Sequence, residues 1–211
     1  MGDEWRLVGD ALISARVPGV ADFGVFVNNT QYFAPSRFDA RAAAPVLLGL
    51  LPNIDDSRLV ETVSRHLRGP WLRRMDGAYE TVREAYGRWA PSREQTGWVL
   101  GETLCSASDG SRAADLLALA GMDDHGSARA WIVEALWRFK SVADVEPLLQ
   151  QLVRDPAVTG MAMSSLQRTI GAEAMVPMLE ELLEDSTDSV VHAAADRQIR
   201  RVRRELARAR P

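Results

Sequence analysis

The strongest constraint on how this chain can fold is a column of aliphatic residues. Leu67, Leu104, Leu136, Leu166 and Ile199 each stand eight residues after an anchor, at Leu59, Thr96, Ala128, Val158 and Val191. By subtraction the anchors lie 37, 32, 30 and 33 residues apart. Positions three and four after each anchor are mostly apolar as well: Thr62 and Val63, Val99 and Leu100, Trp131 and Ile132, Met161 and Ala162, Ala194 and Ala195. Offsets of three, four and eight bring side chains onto one face of an α-helix, so every window predicts a helix with the same dry stripe. A second pattern precedes this one. Pro45-x-Leu47-x-x-Leu50, Pro147-x-Leu149-x-x-Leu152 and Pro177-x-Leu179-x-x-Leu182 share it, and Ala114-x-Leu116-x-x-Leu119 keeps the leucines without the proline. The chain therefore alternates a first and a second helix, most plainly over residues 144–170. Two helices this short, with one apolar stripe each, cannot bury both stripes against one another. They become stable when copies stack.

Helix boundaries can be placed from capping chemistry. Asp56, Asp155 and Asp188 stand three residues before their anchors, where a carboxylate can accept from the free amides of a helix start, and Pro156 follows at a first helical position. Ser92 to Gln95 has the form of a capping box. The prolines of the first-helix pattern are expected in a first turn, whose amide hydrogens have no intrahelical acceptor. Ahead of the repeats, residues 4–16 carry Trp5, Val8, Leu12 and Ala15 at helical spacing, with Leu7 and Ala11 widening the stripe, until Val17-Pro18-Gly19 breaks it. Residues 20–32 fit either a short helix or an extended piece, and Asn28-Asn29-Thr30 is a chance match to a glycosylation motif. Residues 1–40 read as an atypical cap, 41–205 as the repeats and 206–211 as a basic tail, in one structural domain overall.

Over about residues 40–205 these features together resemble the HEAT-repeat family. The resemblance implies an all-α fold, a short right-handed α-solenoid of about five helix-turn-helix repeats. It also implies a ladder between neighbouring repeats, made by the turn Asp and an Arg one position after the second-helix anchor. Asp56, Asp155 and Asp188 keep the acidic position, while only Arg129 keeps the basic one; Val60, Gly97, Thr159 and His192 depart from it. The family supplies no fixed reaction or ligand.

In such stacks the second helices line the concave side, and their outward positions two, six and nine after the anchor face a partner. These are Glu61, Arg65 and Arg68; Trp98, Glu102 and Cys105; Ala130, Glu134 and Trp137; Gly160, Ser164 and Gln167; Ala193, Arg197 and Arg200. Tryptophan and arginine dominate binding energy at protein interfaces, which makes Arg65, Arg68, Trp98, Glu102, Glu134, Trp137, Gln167, Arg197 and Arg200 the candidate groove. Trp98 and Trp137 fit the groove and the core equally well. Arg201, Arg203, Arg204 and Arg208 form a basic patch near the end, where a helix dipole favours cations and an acidic partner or nucleic acid could dock.

A catalytic or metal signature is not legible. His66, His125 and His192 are far apart, Cys105 has an acidic neighbour in Glu102, and Asp123-Asp124-His125-Gly126 reads as a turn between helices. No phosphate-loop or nucleophile-elbow motif implies a cofactor or a covalent intermediate. A formal charge of -4 disfavours a protein built to neutralise nucleic-acid phosphate. The single cysteine, the acidic start and the absence of a long apolar run lead to the expectation of a cytoplasmic, bacterial-type protein. The favoured function is a non-catalytic protein-binding module of the adaptor, assembly or immunity type. The alternative is a nucleic-acid-binding protein similar to the HEAT-like glycosylases that release alkylated bases.

Overall fold

The computed structural model describes residues 2–28 and 37–209, so the part of the 20–32 segment beyond residue 28 lies outside the described residues. Among the described residues the regular elements are helices, and no strand is present. The chain is all-α, as expected, and divides into two compact units, Met1–Asp109 and Gly110–Pro211.

In the first unit α1 (Asp3–Ser14) and a 3-10 helix (Val20–Asn28) precede α2 (Ala40–Leu50), α3 (Ser57–Leu67), α4 (Ala78–Trp89) and α5 (Glu94–Ala107). Helix α2 packs on α3, α4 on α5, and the two second helices α3 and α5 on each other. The second unit repeats this with α6 (Ala113–Ala120) on α7 (Ala130–Ala135), α8 (Val145–Leu152) on α9 (Thr159–Ile170), and α10 (Ala172–Asp185) on α11 (Ser189–Ala209). Here α9 touches both α7 and α11. Pairing within a hairpin, and contact between the second helices of successive hairpins, is the packing a stack of helical repeats requires.

The aliphatic column is why the hairpins hold together. Leu67, Leu104, Leu136 and Leu166 are fully buried, Ile199 is 4% exposed, and all five anchors are buried. Complete burial of each such side chain is worth about 1.5–3 kcal/mol. Of the ten positions three and four after the anchors, Trp131 and Met161 depart from the pattern and are only half-buried.

In the cap the stripe of α1 is narrower than its sequence suggests. Val8 and Leu12 are buried, whereas Leu7 is 58% exposed and Ala15 also faces water. The difference arises because α1 meets the start of α3 largely through polar groups. The Trp5 indole donates to Asp56 at 2.8 Å, and the Glu4 carboxylate accepts from the amides of Asp55 and Asp56 at 3.0 and 2.8 Å. Behind them Phe23, Phe38 and His66 pack ring on ring, with His66 only 2% exposed. A carbonyl can only accept, so His66 Nε2 carries the hydrogen it donates to Phe23 O at 3.0 Å. Burial pushes this imidazole down to about 4, with the Arg68 charge adding to the effect against the Phe23 hydrogen bond. The chain turns out of α1 at Gly19, whose φ is 73°; a Cβ there would lie 2.1 Å from Arg37 O, so only glycine fits.

Several boundaries differ from the sequence reading. Pro147 is the third residue of α8 and sits in a first turn as expected, but Pro45 and Pro177 lie in the interiors of α2 and α10. Both prolines are on the exposed side, so the carbonyl each leaves without an intrahelical donor can be met by water. Asp56 caps α3 through the amides of Arg58 and Leu59, and Asp188 accepts from Val190 and Val191 at 2.8 and 3.0 Å. Asp155 accepts from Ala157 at 2.9 Å within a turn, and α9 begins later, at Thr159. The capping box at Ser92 does not form: Arg93 is the cap of α5, with no side-chain bond, and the Ser92 amide donates to Trp89 O at 3.2 Å. The third second-helix is composite, with 3-10 turns at Asp123–Arg129 and Leu136–Phe139 flanking the short α7.

Candidate functional site

In the first unit the outward row of α3 and α5 is a set of matched charges. Glu61 pairs with Arg65 at 3.2 Å and accepts from the Thr96 hydroxyl at 3.1 Å. Arg68 pairs with Glu102 across the two helices, each side chain 24% exposed. Trp98 is half-buried beside them, and Cys105 is buried rather than on the open face. Glu102 is thus a partner for an arginine. Its charge is cancelled where it stands.

The second unit carries the more structured row, across α7, the following 3-10 turn, α9 and α11. Glu134 Oε1 accepts from the Ser164 hydroxyl at 3.2 Å and pairs with Arg168 at 3.1 Å, while Oε2 is buried and has no hydrogen-bond partner among the described residues. Burial pushes the Glu134 carboxyl up in pKa, against the lowering by the Arg168 charge, the Ser164 bond and the Arg201 charge. The Arg168 guanidinium also lies over the Trp137 ring, 5.3 Å from its centre. Trp137 is half-buried, and its backbone amide donates to the Ser165 hydroxyl at 3.0 Å, which fixes the 3-10 turn that presents the ring. One turn on, Gln167 donates to Glu205 at 2.8 Å and accepts from Gln198 at 2.5 Å. Ala130 is buried and Gly160 and Ala193 are exposed, so the small positions split between core and surface.

The predicted basic patch separates. Arg201, Arg204 and Arg208 share one face of α11 and line, with Glu205, a cavity of about 430 Å³. Arg203 instead pairs with Glu180 of α10 at 2.7 Å, Arg200 pairs with Asp196 on its own helix, and Arg197 is exposed. Arg168 is missing from the sequence-based set although it holds both Glu134 and Trp137. The one signal that points to it is its place four residues after Ser164, one turn along the same outward face.

Beneath this row a buried arginine ties two hairpins together. Arg129 is 1% exposed. It donates to Gly126 O at 3.1 Å and Ala120 O at 2.8 Å, and pairs with Asp123 at 3.3 Å and with Asp155 of the next turn. This is one rung of an Asp–Arg ladder between successive repeats. The family model for HEAT repeats matches residues 113–200, the span of these three hairpins. The second unit is a HEAT-repeat array. No curated protein and no solved structure matches the chain. HEAT repeats are commonly protein-interaction modules. The array's three second helices carry Glu134, Trp137, Gln167, Arg168 and the Arg201 face. Among the described residues no helix is long and apolar enough to cross a membrane, and no three His, Cys, Asp or Glu side chains are grouped to hold a metal ion.

Proposed function

We propose that the chain is a non-catalytic protein-binding module, and that the HEAT array grips an acidic segment of a partner protein along α7, α9 and α11. The observation that carries this reading is the Trp137–Arg168–Glu134 cluster, with the Arg201, Arg204 and Arg208 face on α11 of the same array. A tryptophan fixed by its neighbours provides apolar contact at low entropic cost, and guanidinium groups supply forked donors to carboxylates. Roles as adaptor, assembly factor or immunity protein all use such a surface. The half-buried Trp98 and the paired Arg65, Arg68 and Glu102 of the first unit offer a second, charge-balanced contact area to the same kind of partner.

Affinity capture from the native host tests the reading when wild type is compared with a Trp137→Ala, Arg201→Glu, Arg204→Glu variant of unchanged helical content. A partner held by the wild type should be lost from the variant, and its capture should weaken between low and high salt. Equal recovery of the same partner by both proteins would remove the array from the binding surface. The nucleic-acid alternative needs a continuous positive track, and Glu205 interrupts the one on α11. Release of alkylated bases from DNA by the purified protein would reverse this ranking.

A further inference from the structure

A second concave site lies in the first unit, between the first turn of α2 and a loop that carries none of the repeat pattern. Residues Arg41, Pro70, Trp71, Arg73, Arg74 and Met75 line a cavity of about 400 Å³, within the range of small-molecule pockets. Among the described residues the lining holds three guanidinium groups and no carboxylate. Elsewhere the arginines of this acidic chain are commonly matched, as in Arg65 with Glu61, Arg68 with Glu102, Arg88 with Asp55 and Arg154 with Glu181. Among the described residues Arg41, Arg73 and Arg74 are in no ion pair, and all three are exposed.

The loop is built to hold its shape. Leu72 is fully buried and anchors it, while the amides of Leu72, Arg74 and Met75 donate to Gly69 O, Trp71 O and Leu72 O, each at 3.0 Å. Arg73 and Arg74 therefore project from a closed 3-10 turn, Leu72–Arg74. The indole of Trp71 lies against the backbone of Gly69: a Cβ on that residue would be 2.3 Å from the indole nitrogen and 2.7 Å from the adjoining ring carbon. The ring takes this position only because residue 69 has no side chain. A placed aromatic wall beside unpaired forked cations matches a ligand that has a flat ring at one end and several anionic oxygens at the other.

We infer that this cavity binds a nucleoside polyphosphate, with the phosphates on Arg41, Arg73 and Arg74 and the base against Trp71. Titration calorimetry on the full chain with ATP, adenosine, inorganic tripolyphosphate and a short single-stranded oligodeoxynucleotide tests it. ATP should bind one to one and saturably, more tightly than tripolyphosphate, with adenosine weakest. Arg73→Glu and Arg74→Glu should each weaken ATP about tenfold or more, the loss expected for a charged hydrogen-bonding partner. Trp71→Ala and Gly69→Ala should weaken ATP while leaving tripolyphosphate unchanged, and a Trp71→Phe variant covers the case in which the alanine variant unfolds. No saturable ATP binding at millimolar concentration, or equal binding by wild type and an Arg73→Glu, Arg74→Glu variant, overturns the site. Tripolyphosphate binding as tightly as ATP overturns the nucleoside, and an oligonucleotide binding more tightly than ATP overturns the small ligand in favour of a polynucleotide.

Discussion

Arg129 shows at the scale of one residue how little freedom the array leaves. A guanidinium that is 1% exposed would be costly to bury alone, and four acceptors surround it: Asp155, Asp123, Ala120 O and Gly126 O. Arg129→Met removes the cation and leaves Asp155 and two carbonyls without their donor. The expected loss is about 3–5 kcal/mol by urea denaturation. Arg168→Met removes a half-exposed guanidinium and should cost no more than about 1 kcal/mol. If the two variants lost equal stability, the rung would not be what joins the hairpins. His66 gives a second prediction. In the fold it stays neutral down to about 4, while its ordinary value is 6.5. Between those values the unfolded chain binds a proton that the folded chain does not. The stability contributed by the neutral ring is therefore fully present above about pH 6.5 and is lost as pH falls toward 4, by about 3 kcal/mol over the whole span. An NMR titration should show the His66 ring protonating near 4, and protonation at its ordinary value would place the ring in water.

Helices were legible in the sequence to the degree that their residues obey one period. The ladder could be read because Leu67, Leu104, Leu136, Leu166 and Ile199 answer to a single offset, and burial of an aliphatic face needs nothing more than that offset. Prolines were ambiguous. Pro147 marks a helix start, while Pro45 and Pro177 sit mid-helix on the wet side, and the pattern around all three is the same. Helix α7 escaped for a different reason. The Ala128 window predicts one continuous helix, and nothing in its α-helical offsets marks the 3-10 turns that flank α7, although Leu136 still reaches the core and Trp137 the outward row. Charge pairing was the least legible. Arg68 with Glu102 and Arg168 with Glu134 join residues of different repeats, and their mutual neutralisation emerges only when the helices lie side by side. The loop at residues 69–75 has no period at all, and its cavity follows from backbone turns and one glycine.

At the scale of the whole molecule, two units each carry their own part of the ladder, and the polar rows and cavities occupy what the ladder leaves free. Residues that hold the hairpins and residues of the outward polar row alternate along the same second helices, often one position apart. Leu166 is fully buried between hairpins, and Gln167, the next residue, lies on the outward row bonded to Glu205 and Gln198. The most direct measurement is urea unfolding of Leu166→Ala beside Gln167→Ala. The leucine variant should lose about 2–5 kcal/mol, and the glutamine variant about 1 kcal/mol or less, the worth of an exposed hydrogen bond. Equal losses at the two positions would mean that the second helices do not divide into a dry ladder and a presenting face.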